Sequence, residues 1–171
     1  RQIGIRASYG INQPASDYVG LFGQVGSGGQ VRNLGIEPLQ VTGREYAGGL
    51  CGENYEGAII SCYATGAVTG TGYSVGGLCG QNLKGTITSC YATGAVTGTS
   101  YVGGLCGANS FSGTITSCYT TGVVSGGLRV GGLCGQNFGT ITSCYATGAV
   151  CGGLRVGGLC GYGGTITSCY A

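Results

Sequence analysis

The sequence predicts an all-β protein: a repeat β-solenoid, or stack of β-arches, of about six coils of 26–29 residues with two main parallel sheets. Three observations predict it. First, the tetrapeptide Gly-Leu-Cys-Gly recurs at 49–52, 77–80, 104–107, 132–135 and 158–161, after a degenerate Gly20-Leu21-Phe22-Gly23. Successive copies start 29, 28, 27, 28 and 26 residues apart, and a fixed period in this range marks a solenoid, propeller or array. Second, each unit holds short runs of Val, Ile, Thr and Tyr broken by Gly, Asn and Ser, which are strand and turn signals. Third, 41 of the 171 residues are glycine, and no segment keeps a 3.6-residue apolar period. Interior glycine costs a helix about 1 kcal/mol relative to alanine. Collagen is excluded because glycine does not fall every third residue and there are only 2 prolines. With 42% hydrophobic and 7% charged residues, the chain is not a solvated coil.

The elements follow in order. Residues 1–17 form a lead-in segment, and 18–171 a single repeat domain with repeats starting near 20, 49, 77, 104, 132 and 158. After each Gly-Leu-Cys-Gly comes a column of asparagines, Asn54, Asn82, Asn109 and Asn137. It reads as a repeated turn residue able to hydrogen-bond along the stack. Thr-Ile-Thr follows at 86–88, 114–116, 140–142 and 165–167, with Ala58-Ile59-Ile60 in the first full copy. Ser-Cys-Tyr comes next, then a Gly-x-Val-x-Gly segment such as Gly66-Ala67-Val68-Thr69-Gly70. A propeller blade needs about 40 residues and four strands, so one coil per repeat fits better. Coils would stack about 4.8 Å apart. Since a turn position recurs in every coil, the glycines read as corners with positive φ.

The pattern Gly-Gly-Leu-x-Gly-x-Asn, then Gly-Thr-Ile-Thr-x-x-Tyr-Ala-Thr-Gly, then a small-Val-x-Gly segment resembles the GLUG repeat over roughly residues 18–171. That resemblance implies a β-solenoid from a large secreted or surface protein of bacteria or archaea. In adhesins and immunoglobulin-cleaving proteases such domains are accessory, so it implies no catalytic role. The sequence departs from the family in carrying Cys after Leu, where an aliphatic residue is usual.

Ten of the 11 cysteines fall in two columns. Column one is Cys51, Cys79, Cys106, Cys134 and Cys160; column two is Cys62, Cys90, Cys118, Cys144 and Cys169. In the degenerate first repeat both are replaced by large apolar residues, Phe22 and Leu34. Both columns are therefore expected to face the core and to touch within a coil. One reading is five rung disulfides, 51–62, 79–90, 106–118, 134–144 and 160–169, each worth about 2–3 kcal/mol by loop entropy. The others are free core thiols acting as small hydrophobes and bonds between coils or molecules. Ile87 and Cys90 cannot both point inward in a regular strand, so a bend is required between them. Cys151 stands apart, aligned with Thr42, Thr69, Thr97 and Ser125. It reads as an exposed thiol able to crosslink two molecules, or as an inert one. With no Cys-x-x-Cys and no histidine, no metal site and no cofactor are expected.

Charge narrows the function. Asp17, Glu37, Glu45, Glu53 and Glu56 are the only acids, and beyond them lie only Lys84, Arg129 and Arg155. A net charge of +2, so dispersed, is no nucleic-acid footprint. No apolar run reaches the ~18 residues of a membrane span. The opening Arg1-Gln2-Ile3-Gly4 is no signal peptide, so an exported protein is expected here in mature form. Without histidine there is no triad, and no phosphate loop is present; no enzyme is expected. Arg129 and Arg155 align with Tyr101, Ser74 and Tyr46, facing solvent or a partner's carboxylate.

The chain stops at Cys169-Tyr170-Ala171, inside a repeat and without a polar cap, so bare coil ends would template the addition of another chain. Together with the resemblance to the sheath proteins of filamentous methanogenic archaea, this leads to an expected structural role. The protein would self-assemble through open β-edges into an amyloid-like, disulfide-reinforced extracellular sheath or surface layer. Its partners would be copies of itself and other envelope proteins. The alternative is a stalk or binding module displaying ligands on its Tyr/Arg face. A lesser reading is ice binding by the Thr-x-Thr array, although strand propensity alone accounts for those threonines.

Overall fold

The computed structural model describes residues 3–6, 10–38 and 40–171; residues 1–2 and 7–9 of the lead-in lie outside them. The described residues contain no helix, and every pairing between named strands is parallel. The solenoid of about six coils is therefore as the repeat predicts. Two main sheets, however, become four. Each coil is cut into four sides because two corners, not one, turn the chain between Thr-Ile-Thr and the valine segment.

Side one carries Phe22–Val25, Cys51–Tyr55, Cys79–Leu83, Cys106–Ser110, Cys134–Asn137 and Cys160–Tyr162. Side two carries the Thr-Ile-Thr strands, from Gln30–Arg32 to Thr165–Thr167. On side three are Tyr63–Ala64 and its equivalents. Side four begins as split strands, Val68–Gly70 and Tyr73–Gly76, and ends as continuous ones, Val124–Gly131 and Val150–Gly157. Part of the lead-in joins the stack: Ile3–Arg6 pairs with Leu34–Glu37, and Ile11–Asn12 with residues 41–42.

The register is one coil to the next, identical residue on identical residue. Ile59, Ile87, Ile115, Ile141 and Ile166 pair in one row, and Thr42, Thr69, Thr97, Ser125 and Cys151 in another. Leu50, Leu78, Leu105 and Leu133 fill the interior, with Val68, Val96 and Val124 opposite. Such a core grows by one layer of side chains per coil, and each layer contacts only its neighbours.

The corners are made differently from expectation. Positive φ falls on Ser61, Ser89, Ser117, Ser143 and Ser168, and on Tyr18, Tyr46, Ser74, Tyr101, Arg129 and Arg155, while among the described glycines only Gly28, Gly163 and Gly164 adopt it. The left-handed serine supplies the bend between Ile87 and Cys90: Ser89, at φ 53°, resets the alternation so that both neighbours point inward. The glycines serve close approach instead. A Cβ on Gly103 would lie 2.0 Å from the carbonyl oxygen of Cys106 and 2.7 Å from the amide of Gly135 in the next coil. Only hydrogen fits where the chain folds back against the following coil.

Candidate functional site

The features that could carry function are ladders, one rung per coil. The asparagine ladder is fully buried. Each Nδ2 donates to the Oδ1 of the next coil at 2.8 Å, from Asn54 to Asn82, Asn82 to Asn109 and Asn109 to Asn137. The same Nδ2 reaches a backbone carbonyl that closes the turn, as Asn82 does with Gly85 at 2.9 Å. The Oδ1 of Asn54 has no partner, because Val25 stands at that register in the coil before. Axial hydrogen bonding between these asparagines is thus as the sequence suggests.

The tyrosines of side three stack almost parallel. Ring centroids from Tyr63 to Tyr91, Tyr119, Tyr145 and Tyr170 are 4.8, 4.8, 5.0 and 5.0 Å apart. That is the coil spacing itself, near the strand separation of about 4.8 Å. Gly35 precedes the ladder, leaving room for the ring of Tyr63, whose hydroxyl donates to Glu37 at 2.6 Å. Burial first, and then the neighbouring Tyr119, pushes the Tyr91 phenol up.

Both cysteine columns face the core. Cys51, Cys62, Cys79, Cys90, Cys106, Cys118, Cys134 and Cys144 are buried, Cys160 and Cys169 half-buried, and all are thiols. Their contacts run along the columns between coils. Sγ of Cys51 lies 3.6 Å from Sγ of Cys79. In column two the amide of Cys62 donates to Sγ of Cys90 at 3.3 Å, and that of Cys90 to Sγ of Cys118 at 3.4 Å. Each of these sulfurs in turn reaches a carbonyl two residues upstream, as Cys90 does with Thr88 at 3.1 Å. Burial pushes the Cys79 and Cys106 thiols up, which keeps them neutral and poor nucleophiles. Cys151 is exposed on side four. The hydroxyl residues aligned with it were the signal that placed it there.

The corner between sides four and one holds Arg129 and Arg155, as their alignment predicts. The Arg129 guanidinium lies 4.9 Å from the Tyr101 ring centroid and 4.6 Å from that of Tyr162, and Arg155 lies 4.9 Å from Tyr162. Sequence reasoning missed Tyr162, which stands where the preceding coil has Gln136; the residue-type change hid the alignment. On side two the threonines line up in two rows, Thr86–Thr114–Thr140–Thr165 and Thr88–Thr116–Thr142–Thr167, flanking the buried isoleucines.

Four parallel sides with side-chain ladders define a β-solenoid repeat protein. Residues 43–69, 71–97 and 126–150 match the family described as the GLUG motif. No curated protein matches the chain significantly. The chain is similar in structure to a protein of Bacteroides ovatus named "putative immunoglobulin A1 protease", with a TM-score of 0.69, 23% identity, and coverage of 86% of this chain and 56% of that one. At that identity the likeness is one of fold, and this chain spans little more than half of that protein.

Proposed function

We propose that the chain is a structural module that assembles with copies of itself outside the cell, building a sheath or surface layer by coil-on-coil stacking. One observation carries this reading: each coil seats on the next through identical side chains, so that the Asn, Tyr and Ile ladders run in register along the stack. Such a stack extends by pairing one strand edge with another, which is how strands add to strands. In-register ladders of Asn, Tyr and Ile would continue across such a junction, as they do in cross-β assemblies.

Covalent reinforcement belongs to the same proposal. Exposed Cys151 is the candidate for a bond between molecules, and the ten column cysteines are candidates for disulfides within one. The axial contacts favour pairing between neighbouring coils over the five rung pairs. No catalytic role is proposed, since the chain has no histidine and its acids end at Glu56. The second reading, a stalk or binding module, is favoured by the stacked Tyr/Arg corner.

Light scattering and electron microscopy of the purified chain at neutral pH test the proposal. Filaments or sheets that resist detergent until reductant is added are expected, with weaker cohesion in Cys151→Ser. A chain that stays monomeric at high concentration would sink the assembly reading.

A further inference from the structure

The corner between sides one and two changes length along the stack. From the ladder asparagine to the glycine that precedes side two it takes three residues in the second and third coils, Asn54 to Gly57 and Asn82 to Gly85. It takes four in the next coil, Asn109 to Gly113, and two in the one after, Asn137 to Gly139. The longest corner therefore sits against the shortest. Its extra residue pushes Phe111 outward at φ 55°, in a turn closed by the Gly113 amide on the Ser110 carbonyl at 3.1 Å. Asn137 pairs with Asn109, so the next residue of the short corner, Phe138, stands beside Ser110. Phe111 is 68% exposed and Phe138 54%, and neither belongs to the first or the last coil.

Between the two coils opens a cleft of about 530 Å³, lined by Ser110, Phe111, Gln136 and Phe138. That volume falls within the range of small-molecule sites, about 300–1,000 Å³. Ser110 and Gln136 are each only 7% exposed, so they form the back of the cleft while the two rings form its mouth. Arg129 donates to Oε1 of Gln136, which leaves Nε2 as the free end of that amide, without a partner among the described residues. Oγ of Ser110 accepts from Nε2 of Gln81 at 3.3 Å and keeps its own proton to donate. None of the four lining residues is charged. The nearby Arg129 is held by the rings of Tyr101 and Tyr162, at 4.9 and 4.6 Å from their centroids.

We propose that this cleft is a binding site for a neutral sugar ring. An ion would leave water there without meeting a counter-charge. A wholly apolar ligand would cover the Gln136 amide and the Ser110 hydroxyl and leave both unpaired. A pyranose answers both halves of the cleft. Its C–H face lies against the phenyl rings at the mouth, and its hydroxyls accept from Nε2 of Gln136 and from Ser110 at the back. The site is on a corner, off the strand edges through which coils stack, so it stands or fails independently of self-assembly.

The chain has no tryptophan, so Phe138→Trp keeps an aromatic ring in the cleft and makes its fluorescence a local reporter. The full chain carrying it is titrated with neutral tetrasaccharides of glucose, mannose, galactose and N-acetylglucosamine. At least one should bind with a Kd of about 1 mM or tighter. The same sugar should receive saturation transfer in NMR from the parent chain and lose it with Phe138→Ala. In the reporter background Phe111→Ala should weaken binding at least about fivefold, and Ser110→Ala roughly three- to tenfold. Val123→Ala, which truncates an exposed apolar residue outside the cleft, should leave binding unchanged, and the β-sheet circular dichroism should be the same throughout. No saturable response to any of the sugars up to about 10 mM overturns the proposal, as does binding that Phe111→Ala leaves intact. Uptake of 1-octanol tighter than that of any sugar, and indifferent to Ser110→Ala, would assign the cleft to an apolar partner and overturn it too.

Discussion

Nδ2 of Asn82 donates to Oδ1 of Asn109 at 2.8 Å, and both side chains are wholly enclosed. A buried amide of this kind gives little net stability while its partners are present but is costly once one is removed. Asn82→Ala would strand the Oδ1 of Asn109, deprive Gly85 of its donor and open a small void. The expected loss is about 1–3 kcal/mol, read as a lower urea midpoint at unchanged slope. An Asn82→Ala chain as stable as the parent would show that water replaces the amide.

Substitution of the fold-back glycines should be far more damaging. The Cβ of Gly103→Ala would sit 2.0 Å from the backbone oxygen of Cys106, and neither backbone can retreat without pulling on the next coil. Loss of soluble folded protein is expected. Gly26→Ala is the control, since a Cβ there has nothing within 4 Å. Equal expression and melting of the two variants would refute the close-approach account.

Isoleucine truncation should depend on position in the stack. Ile115→Ala removes a fully buried side chain and should cost about 2–5 kcal/mol. Ile166→Ala should cost the isolated molecule about 1 kcal/mol or less, because the side chain keeps 40% of its exposure. If coils stack end on end, Ile166→Ala should instead slow assembly, which light scattering would follow.

Alkaline pH should loosen the fold in a defined direction. The phenols of Tyr18 and Tyr91 are raised by burial from an ordinary value of 10.0. A raised acid binds its proton more tightly when folded. Its contribution is complete below the unfolded pKa and fades as pH climbs through the folded one. The Cys79 and Cys106 thiols, raised by burial from an ordinary value of 9.0, act in the same sense. Melting temperature should therefore begin to fall as pH passes about 9 and fall further above about 10, where the phenols add to the loss. Spectrophotometric titration should show a late set of phenols. Phenols that all titrate together near the ordinary value would contradict the stacking.

The cysteines of reduced protein should divide by reactivity. Cys151 is exposed, Cys160 and Cys169 are half-buried and the other eight are buried, so one fast, two slower and eight protected thiols are expected with a soluble thiol reagent. Mass spectrometry after partial labelling identifies them. Rapid labelling of Cys106 in folded protein would place column one outside the core. Peptide mapping without reductant then decides whether oxidised chains pair along the columns or across a coil.

Much of this architecture was legible before any coordinates. The Thr42–Thr69–Thr97–Ser125–Cys151 row, the two cysteine columns and the alignment of Arg129 with Tyr101 all follow from counting residues, because a stacked repeat turns sequence period into spatial neighbourhood. Tyr162 was not legible, since its row changes residue type in every coil. Nor was the role of glycine, because composition does not separate a corner from a close approach.

By itself, then, the sequence determined the all-β class, the coil number and which residues share a row. Each of these depends only on period and residue type. Tertiary structure decided what a single coil cannot. The left-handed corners rest on serine, tyrosine and arginine rather than glycine, a coil has four sides rather than two, and the cysteines meet along the axis. The reason is the same in all three: backbone angles and sulfur contacts are set by how one coil seats on the next, a few ångströms away but some 28 residues distant in the chain.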